Sequence, residues 1–256
     1  MKLLVDAGNT RIKWALVSGG DWLCNGVLPA AQADRLAHDI ADQVARQNPG
    51  AGLHDIRQIW ASNVAGEACA RHIRNIGAGM IVQPHFIVAG EMQCGVRNGY
   101  SEPSQLGSDR WAALIAAWHL LQRECLMVDT GTATTIDTLS AQGEFVGGLI
   151  LPGIGLMQCS LVTAANQLNP EPGKYAPFPQ NSADALYSGA IQATCGAIER
   201  QYNLLDDDCA PLLLSGGTAR VLLPYLDRQR FGAPPRVVDN LVLQGLLLMA
   251  QEAECC

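Results

Sequence analysis

Charge is scarce in this chain: 16% of its 256 residues are Asp, Glu, Lys or Arg, against roughly 25% in an average soluble protein. Aromatic residues make up only 5%, while 48% of positions are hydrophobic, so disorder is excluded and a large core is expected. Positive charge is the scarcer sign, with 17 Lys and Arg against 24 Asp and Glu, a net −7. That balance argues against nucleic acid as a partner, because neutralising a phosphate backbone needs a basic surface. A phosphate bound here must be held locally, by backbone amides, a metal or one or two cations. Long apolar runs are missing too. The best, Trp111 to Leu121, is broken by His119 and falls short of the ~18 residues a membrane span needs. Asp6 interrupts the opening Met-Lys-Leu-Leu-Val before a secretory apolar region can form. The nine cysteines include no C-x-x-C and no Cys/His set with zinc spacing, so reduced core thiols in a cytoplasmic protein are expected, with no role for the Cys255-Cys256 tail. Neither standard phosphate loop is present. Gly173-Lys174 is followed by Tyr175, and Gly153-Ile154-Gly155 meets Gln158 where a third glycine belongs.

What is present alternates between strand and helix signals. Leu3–Val5 and Ile12–Val17 read as a hairpin, and Ile56–Ala61 and Ile81–Val88 as strands on either side of a helix near Glu67–Ile76. Ala30–Gln47 reads as a helix with Leu36, Ile40 and Val44 on one face. Residues 90–108 lack periodicity and read as a loop. Ser108 then reads as the N-cap of a helix bearing Trp111, Leu114, Ile115, Trp118 and Leu121. Strands follow at Leu126–Val128, Thr134–Leu139 and Phe145–Leu151, then a helix over Gly155–Ala165 and a connection with four prolines between 170 and 179. A helix over Ala183–Leu204, a strand at Leu212–Leu214 and a helix near Asn240–Glu252 complete the pattern.

A repeat organises these signals. Leu3-Leu4-Val5-Asp6-Ala7-Gly8-Asn9-Thr10 is echoed by Leu126-Met127-Val128-Asp129-Thr130-Gly131-Thr132, and from Leu3 to Leu126 the offset is 123 residues, close to half the chain. The chain therefore reads as two similar halves, residues 1–118 and 119–256. Taken singly, each Asp-x-Gly turn is an ordinary hairpin; recurrence at half-length argues for a shared task. Glycine allows close backbone approach, and the amides and hydroxyls of Asn9, Thr10, Thr130, Thr132 and Thr134 can donate to phosphate oxygens. Asp6 and Asp129 can hold a cation that bridges to phosphate, and Lys13 adds one positive charge.

The junction Leu106-Gly107-Ser108-Asp109-Arg110-Trp111 is a second candidate. A helix start suits an anion through its free amides and dipole, and Arg110 offers a fork for a carboxylate. Phosphoryl transfer asks little of its base beyond orienting the attacking hydroxyl, a task open to Asp109. The same residues also make an unexceptional capped helix start. Gly147-Gly148-Leu149-Ile150-Leu151-Pro152-Gly153 and Leu214-Ser215-Gly216-Gly217-Thr218-Ala219 each end a strand and start a helix, with the glycine pairs there for close ligand approach or for tight packing.

Asp6-x-Gly8-Asn9-Thr10 with Lys13, then Gly107-x-Asp109-Arg110, Asp129-x-Gly131-Thr132-Ala133-Thr134 and Gly216-Gly217 stand in an order that resembles the type III pantothenate kinases, over nearly the whole chain. The resemblance implies two duplicated actin-like (ribonuclease H-like) α/β halves, with the active site in the cleft between them. It implies ATP-dependent phosphorylation of pantothenate, the first step of coenzyme A synthesis. In that likeness Asp6, Ala7, Gly8, Asn9, Thr10, Arg11, Ile12 and Lys13 form the first phosphate turn, with Asp6 toward Mg2+, and Thr132 meets phosphate in the second. Asp129 holds a monovalent cation, K+ or NH4+. Gly107, Ser108, Asp109 and Arg110 bind pantothenate, with Asp109 as general base, and Tyr100 in Asn98-Gly99-Tyr100-x-x-Pro103 lines its pocket. The family's homodimers imply that Ser182, where threonine is common, reaches a partner's pocket; Thr218 stands where an acidic residue is common. A non-catalytic regulator or a phosphohydrolase on the same fold is the alternative.

Overall fold

The first strand, β1 (Lys2–Ala7), buries Leu3, Leu4, Val5 and Ala7, a continuous apolar run of the kind a central strand needs. Our computed structural model describes residues 1–47, 52–164, 172–226 and 230–255, and the chain divides into two units. The first comprises Met1–His119 with Leu241–Cys256, the second Leu120–Asn240.

In the first unit β1 is flanked by antiparallel β2 (Arg11–Ser18) and parallel β4 (Gln58–Asn63), giving the order β3-β2-β1-β4-β5, with β3 at Asp21–Pro29 and β5 at Pro84–Phe86. One face is covered by α1 (Leu36–Gln47) and α2 (Glu67–Met80), with Leu36, Ile40, Val44, Ile73 and Ile76 in its core. The expected apolar stripe of α1 is buried, but its N-terminal part is a 3-10 segment, Ala30–Arg35. Trp14 on β2 ties α1 to the sheet by donating Nε1–H to Asp39 Oδ2 at 2.8 Å.

The second unit repeats the plan: β8 (Cys125–Thr130) pairs antiparallel with β9 (Ala133–Leu139), β9 antiparallel with β10 (Glu144–Pro152), and β8 parallel with β11 (Leu212–Ser215). With β12 (Arg236–Val237) parallel to β11, the order β10-β9-β8-β11-β12 reproduces that of the first unit strand for strand. The half-length repeat is thus a structural duplication. The helices α4 (Ile154–Ala164) and α5 (Ser182–Tyr202) and the single turn α6 (Ala219–Leu222) belong to this unit. Residue 165 and Pro170, included in the expected helix and connection, lie outside the described residues, as does Cys256.

Four expectations need correction. The C-terminal helix α7 (Leu241–Cys255) packs with the first unit rather than with residues 119–240. Lys2 Nζ meets Glu254 Oε2 at 2.6 Å, Gln58 Nε2 donates to Glu254 Oε1 at 3.0 Å, and Gly245 lies against the backbone of Ala112. Residues 90–108 are not a plain loop: they hold the hairpin β6 (Met92–Gln93) and β7 (Val96–Asn98) and a 3-10 turn, Pro103–Gln105. Ile81 is not in a strand; it caps α2 in a left-handed conformation (φ 57°), fully exposed. Finally, α3 (Ser108–Leu121) begins at Ser108 itself, since the Trp111 amide bonds the Gly107 carbonyl at 2.9 Å.

Candidate active site

The first Asp-x-Gly turn joins β1 to β2. Ala7 pairs with Ile12, and the Gly8 amide closes the turn on the Arg11 carbonyl at 3.1 Å. Asn9, Thr10 and Arg11 are exposed at its tip. Asp6 lies in register with Lys13 on β2 and with Ser62 on β4. Directly paired residues share a face, so a carboxylate, an ammonium and a buried hydroxyl sit side by side at one end of the sheet. Gly8 avoids the left-handed region that many hairpin glycines occupy; its role is close approach, with a Cβ falling 3.2 Å from the Arg11 carbonyl.

The start of α3 lies in the same unit. Gly107 occupies the capping position without a side chain, so the helix's first amides are satisfied otherwise: Asp109 Oδ1 accepts from the Arg110 amide at 2.8 Å. A side chain at residue 107 would stand 2.6 Å from that same oxygen. Ser108 does not cap the helix, since its hydroxyl pairs with the fully buried Ser62 hydroxyl at 2.8 Å. Arg110 is only 7% exposed. Its Nη1 donates to the Tyr100 hydroxyl at 3.0 Å, and its guanidinium lies 5.8 Å from the Tyr100 ring centre. Tyr100 sits in a short turn anchored by Asn98, whose Oδ1 accepts from the Tyr100 amide and whose Nδ2 donates to the Pro103 carbonyl, both at 3.1 Å.

The second unit repeats the first turn with one residue fewer: Thr130 pairs with Thr134, and the Gly131 amide bonds the Ala133 carbonyl at 2.8 Å. Asp129 is in register with Thr135 and Ser215, the counterparts of Lys13 and Ser62. The buried hydroxyls of Thr134 and Thr135 have no hydrogen-bond partner. Gly216 follows Ser215 at φ 92°, and a Cβ there would come within 2.7 Å of Asp129 Oδ1. Gly153 crosses close to the turn, its amide bonded to the Thr132 carbonyl at 2.9 Å, while Thr132 itself is exposed. Ser182 is the exposed first residue of α5, behind the cap Asn181, whose side chain accepts from the Asp184 amide at 2.9 Å.

Each group of candidates is therefore gathered within its own unit: Asp6 to Lys13, Tyr100 and Gly107 to Arg110 in one, Asp129, Thr132, Ser182 and Gly216 in the other. Ser62, Asn98, Thr135 and Ser215 have no role assigned from the sequence, although Asn98 stands in the motif that carries Tyr100. The signal for the two serines was a second echo, Ala61-Ser62-Asn63 and Leu214-Ser215-Gly216, each ending the strand parallel to its Asp-x-Gly strand. Among the described residues no helix is long and apolar enough to cross a membrane.

Residues 2–204 match the sequence profile of type III pantothenate kinases. A type III pantothenate kinase from Nitrosospira multiformis is 47% identical over 253 residues, covering 98% of this chain and 91% of that protein. Another from Aromatoleum aromaticum is 44% identical, with 98% of each covered. Among solved structures, the ethanolamine utilization protein EutJ from Carboxydothermus hydrogenoformans is similar at a TM-score of 0.59 and 16% identity, over 97% of this chain and 88% of that one. The activator of 2-hydroxyisocaproyl-CoA dehydratase from Clostridium difficile, solved with bound ADPNP, gives 0.56 at 11% identity, over 99% and 97%. These likenesses bear out the actin-like ATPase and sugar-kinase fold, as does the repeated strand order. Because the sequence likeness runs through both copies of the repeat and on to α7, the chain belongs to the type III pantothenate kinase family.

Proposed function

We propose that this chain transfers the γ-phosphoryl group of ATP to pantothenate, giving 4'-phosphopantothenate in the first step of coenzyme A synthesis. The observation that carries the reading is the start of α3, where Gly107 leaves room for the Asp109 carboxylate beside a nearly buried Arg110. Asp109 takes the proton of the primary hydroxyl as that oxygen bonds the γ-phosphorus and the bond to the β-phosphate oxygen breaks, releasing ADP. Its essential contribution is orientation, since phosphoryl transfer passes through a loose transition state. Arg110, steadied by Tyr100, meets the carboxylate of pantothenate with its planar fork, and the Gly107 and Ser108 backbone completes that site.

The amides from Ala7 to Thr10 and the side chains of Arg11 and Lys13 serve the ATP phosphates in the first turn, and Thr132 does so in the second; Ile12, buried, holds the first turn's strand in register. Asp6 supplies one hard carboxylate, and Mg2+ is typically held by one or two carboxylates plus substrate phosphates. The donor set therefore fits a magnesium ion that arrives with the nucleotide, and such an ion supplies neutralisation of charge on the phosphates. Around Asp129, the orphaned Thr135 hydroxyl opposite it in register fits an oxygen-ligated monovalent cation, K+ or NH4+.

A homodimer belongs to the same reading. Supporting it, α4 exposes Leu156 and Leu161, and β10 exposes Val146, Leu149 and Ile150, large apolar side chains that a partner subunit could cover. Ser182, at the exposed start of α5, is the residue proposed to reach the partner's pantothenate. A cytoplasmic location follows from the metabolic role. Coupled ADP release with pantothenate, Mg2+ and K+ tests the reading. Pantothenate-dependent turnover is expected, and ATP hydrolysis indifferent to pantothenate would favour a phosphohydrolase.

A further inference from the structure

Asn98 sits at the end of β7, its side chain almost wholly enclosed at 8% exposure. Three of its polar groups are engaged within the same short stretch: its amide donates to the Glu91 carbonyl at 2.9 Å, Oδ1 accepts from the Tyr100 amide, and Nδ2 donates to the Pro103 carbonyl, the last two at 3.1 Å. The side chain thus spans the turn 98–103 and sets where Tyr100 leaves the backbone. Tyr100 in turn carries the phenol that accepts from Arg110 Nη1 at 3.0 Å. The hairpin on which Asn98 stands is itself fixed: the Cys94 amide donates to Glu252 Oε1 of α7 at 2.9 Å, and Trp111 of α3 donates to Gln93 Oε1 at 3.3 Å.

We propose that Asn98 is a positioning residue for substrate binding: through the Tyr100 amide it aims the Tyr100 hydroxyl, and through that hydroxyl it fixes the Arg110 guanidinium that receives the pantothenate carboxylate. The inference rests on the reading of Tyr100 and Arg110 as the pantothenate site. It assigns Asn98 no contact with substrate. A bidentate guanidinium–carboxylate pair depends on the fork's orientation, and an unbuttressed Arg110 has many rotamers to lose on binding. The amide side chain offers an acceptor to one backbone group and a donor to the other from a single short side chain.

The test is steady-state kinetics of the full-length protein carrying Asn98→Ala, with Asn98→Ser measured alongside in case the alanine variant does not fold. Loss of the two buried side-chain hydrogen bonds in the support predicts a rise of about tenfold in the KM for pantothenate, with kcat and the KM for ATP changed less than about twofold. A double-mutant cycle with Tyr100→Phe separates positioning from general destabilisation. Once the phenol is gone, removing Asn98 should add little to the pantothenate KM. Equal rises in both KM values, or full additivity on Tyr100→Phe, overturn the proposal. Arg110→Gln tells the two failures apart. If it leaves the pantothenate KM unchanged, the site reading falls and the inference falls with it; if it raises that KM while Asn98→Ala does not, only the inference falls.

Discussion

The hydroxyls of Ser62 and Ser108 meet at 2.8 Å, joining the last turn of pleat in β4 to the first residue of α3. Ser62 is wholly buried and in register with Asp6, and Ser108 immediately precedes Asp109. One short hydrogen bond therefore links the strand beside the first phosphate turn to the helix that carries the proposed base. Replacing Ser62 with alanine removes that bond and leaves Ser108 to find another partner, at a cost of about 1 kcal/mol in stability. We expect a severalfold loss of kcat with a smaller change in either KM, read from steady-state kinetics next to a thermal melt. An unchanged kcat in a destabilised variant would reduce the pair to a packing contact.

Gly107→Ala should be more damaging than its size suggests. The new methyl would stand 2.6 Å from Asp109 Oδ1, so the carboxylate must leave the Arg110 amide. Since misplacement of a reacting group by an ångström can cost about a hundredfold, kcat should drop by one to two orders of magnitude while the melting temperature moves little. A rapid-quench measurement of the chemical step checks it.

Gly216→Ala addresses the other unit. Gly216 holds φ 92°, and a Cβ there would meet the Thr130 carbonyl oxygen, the Thr130 amide nitrogen at 2.6 Å and Asp129 Oδ1 at 2.7 Å. A side chain in a left-handed conformation costs about 1–2 kcal/mol before any clash, and the methyl would push on Asp129 Oδ1. The expected result is lower stability together with a raised half-saturating concentration of K+. A K+ titration of activity identical to the parent's would detach Gly216 from the cation proposal.

How much of this was legible beforehand varies with the range of the interaction. Local signals were read well: the strand–Asp-x-Gly–strand repeat, the stripe Leu36, Ile40 and Val44, and the start of α3 within one residue. What escaped depends on contacts distant in sequence. Ser62 matters because β4 pairs with β1 and because α3 begins above it, 46 residues later. The C-terminal helix follows the second copy in the chain, yet Glu254 bonds Lys2 and Gln58 at the other end of it. Length arithmetic alone cannot see that exchange. The hairpin of residues 92–98 has strands of only two and three residues, too short for a periodic signal, and its side-chain ties run to Glu252 and Trp111, distant in sequence.

Acid should loosen the start of α5. The Asp184 carboxylate accepts from the Lys174 amide at 2.6 Å and from Asn181 Nδ2 at 2.7 Å, and these bonds, the backbone one foremost, hold its pKa below the usual carboxylate value. The folded pKa is the lower one, so its contribution is complete above the unfolded value of about 3.9. It is lost as pH falls through the folded value. Asp184→Asn should therefore melt below the parent at pH 7, with the gap closing in strong acid. A gap of constant size from neutral pH to strong acid would show that the carboxylate's charge is irrelevant there.

The most direct measurement is pantothenate-dependent ADP release by the parent protein and by Asp109→Asn, in Mg2+ and K+, with the fold of both checked by circular dichroism. The account predicts turnover that requires pantothenate in the parent, and a loss of about 10²–10⁴ in kcat for the variant with its fold intact, the range for removing a general base. A well-folded Asp109→Asn protein that phosphorylates pantothenate at the parental rate would contradict it.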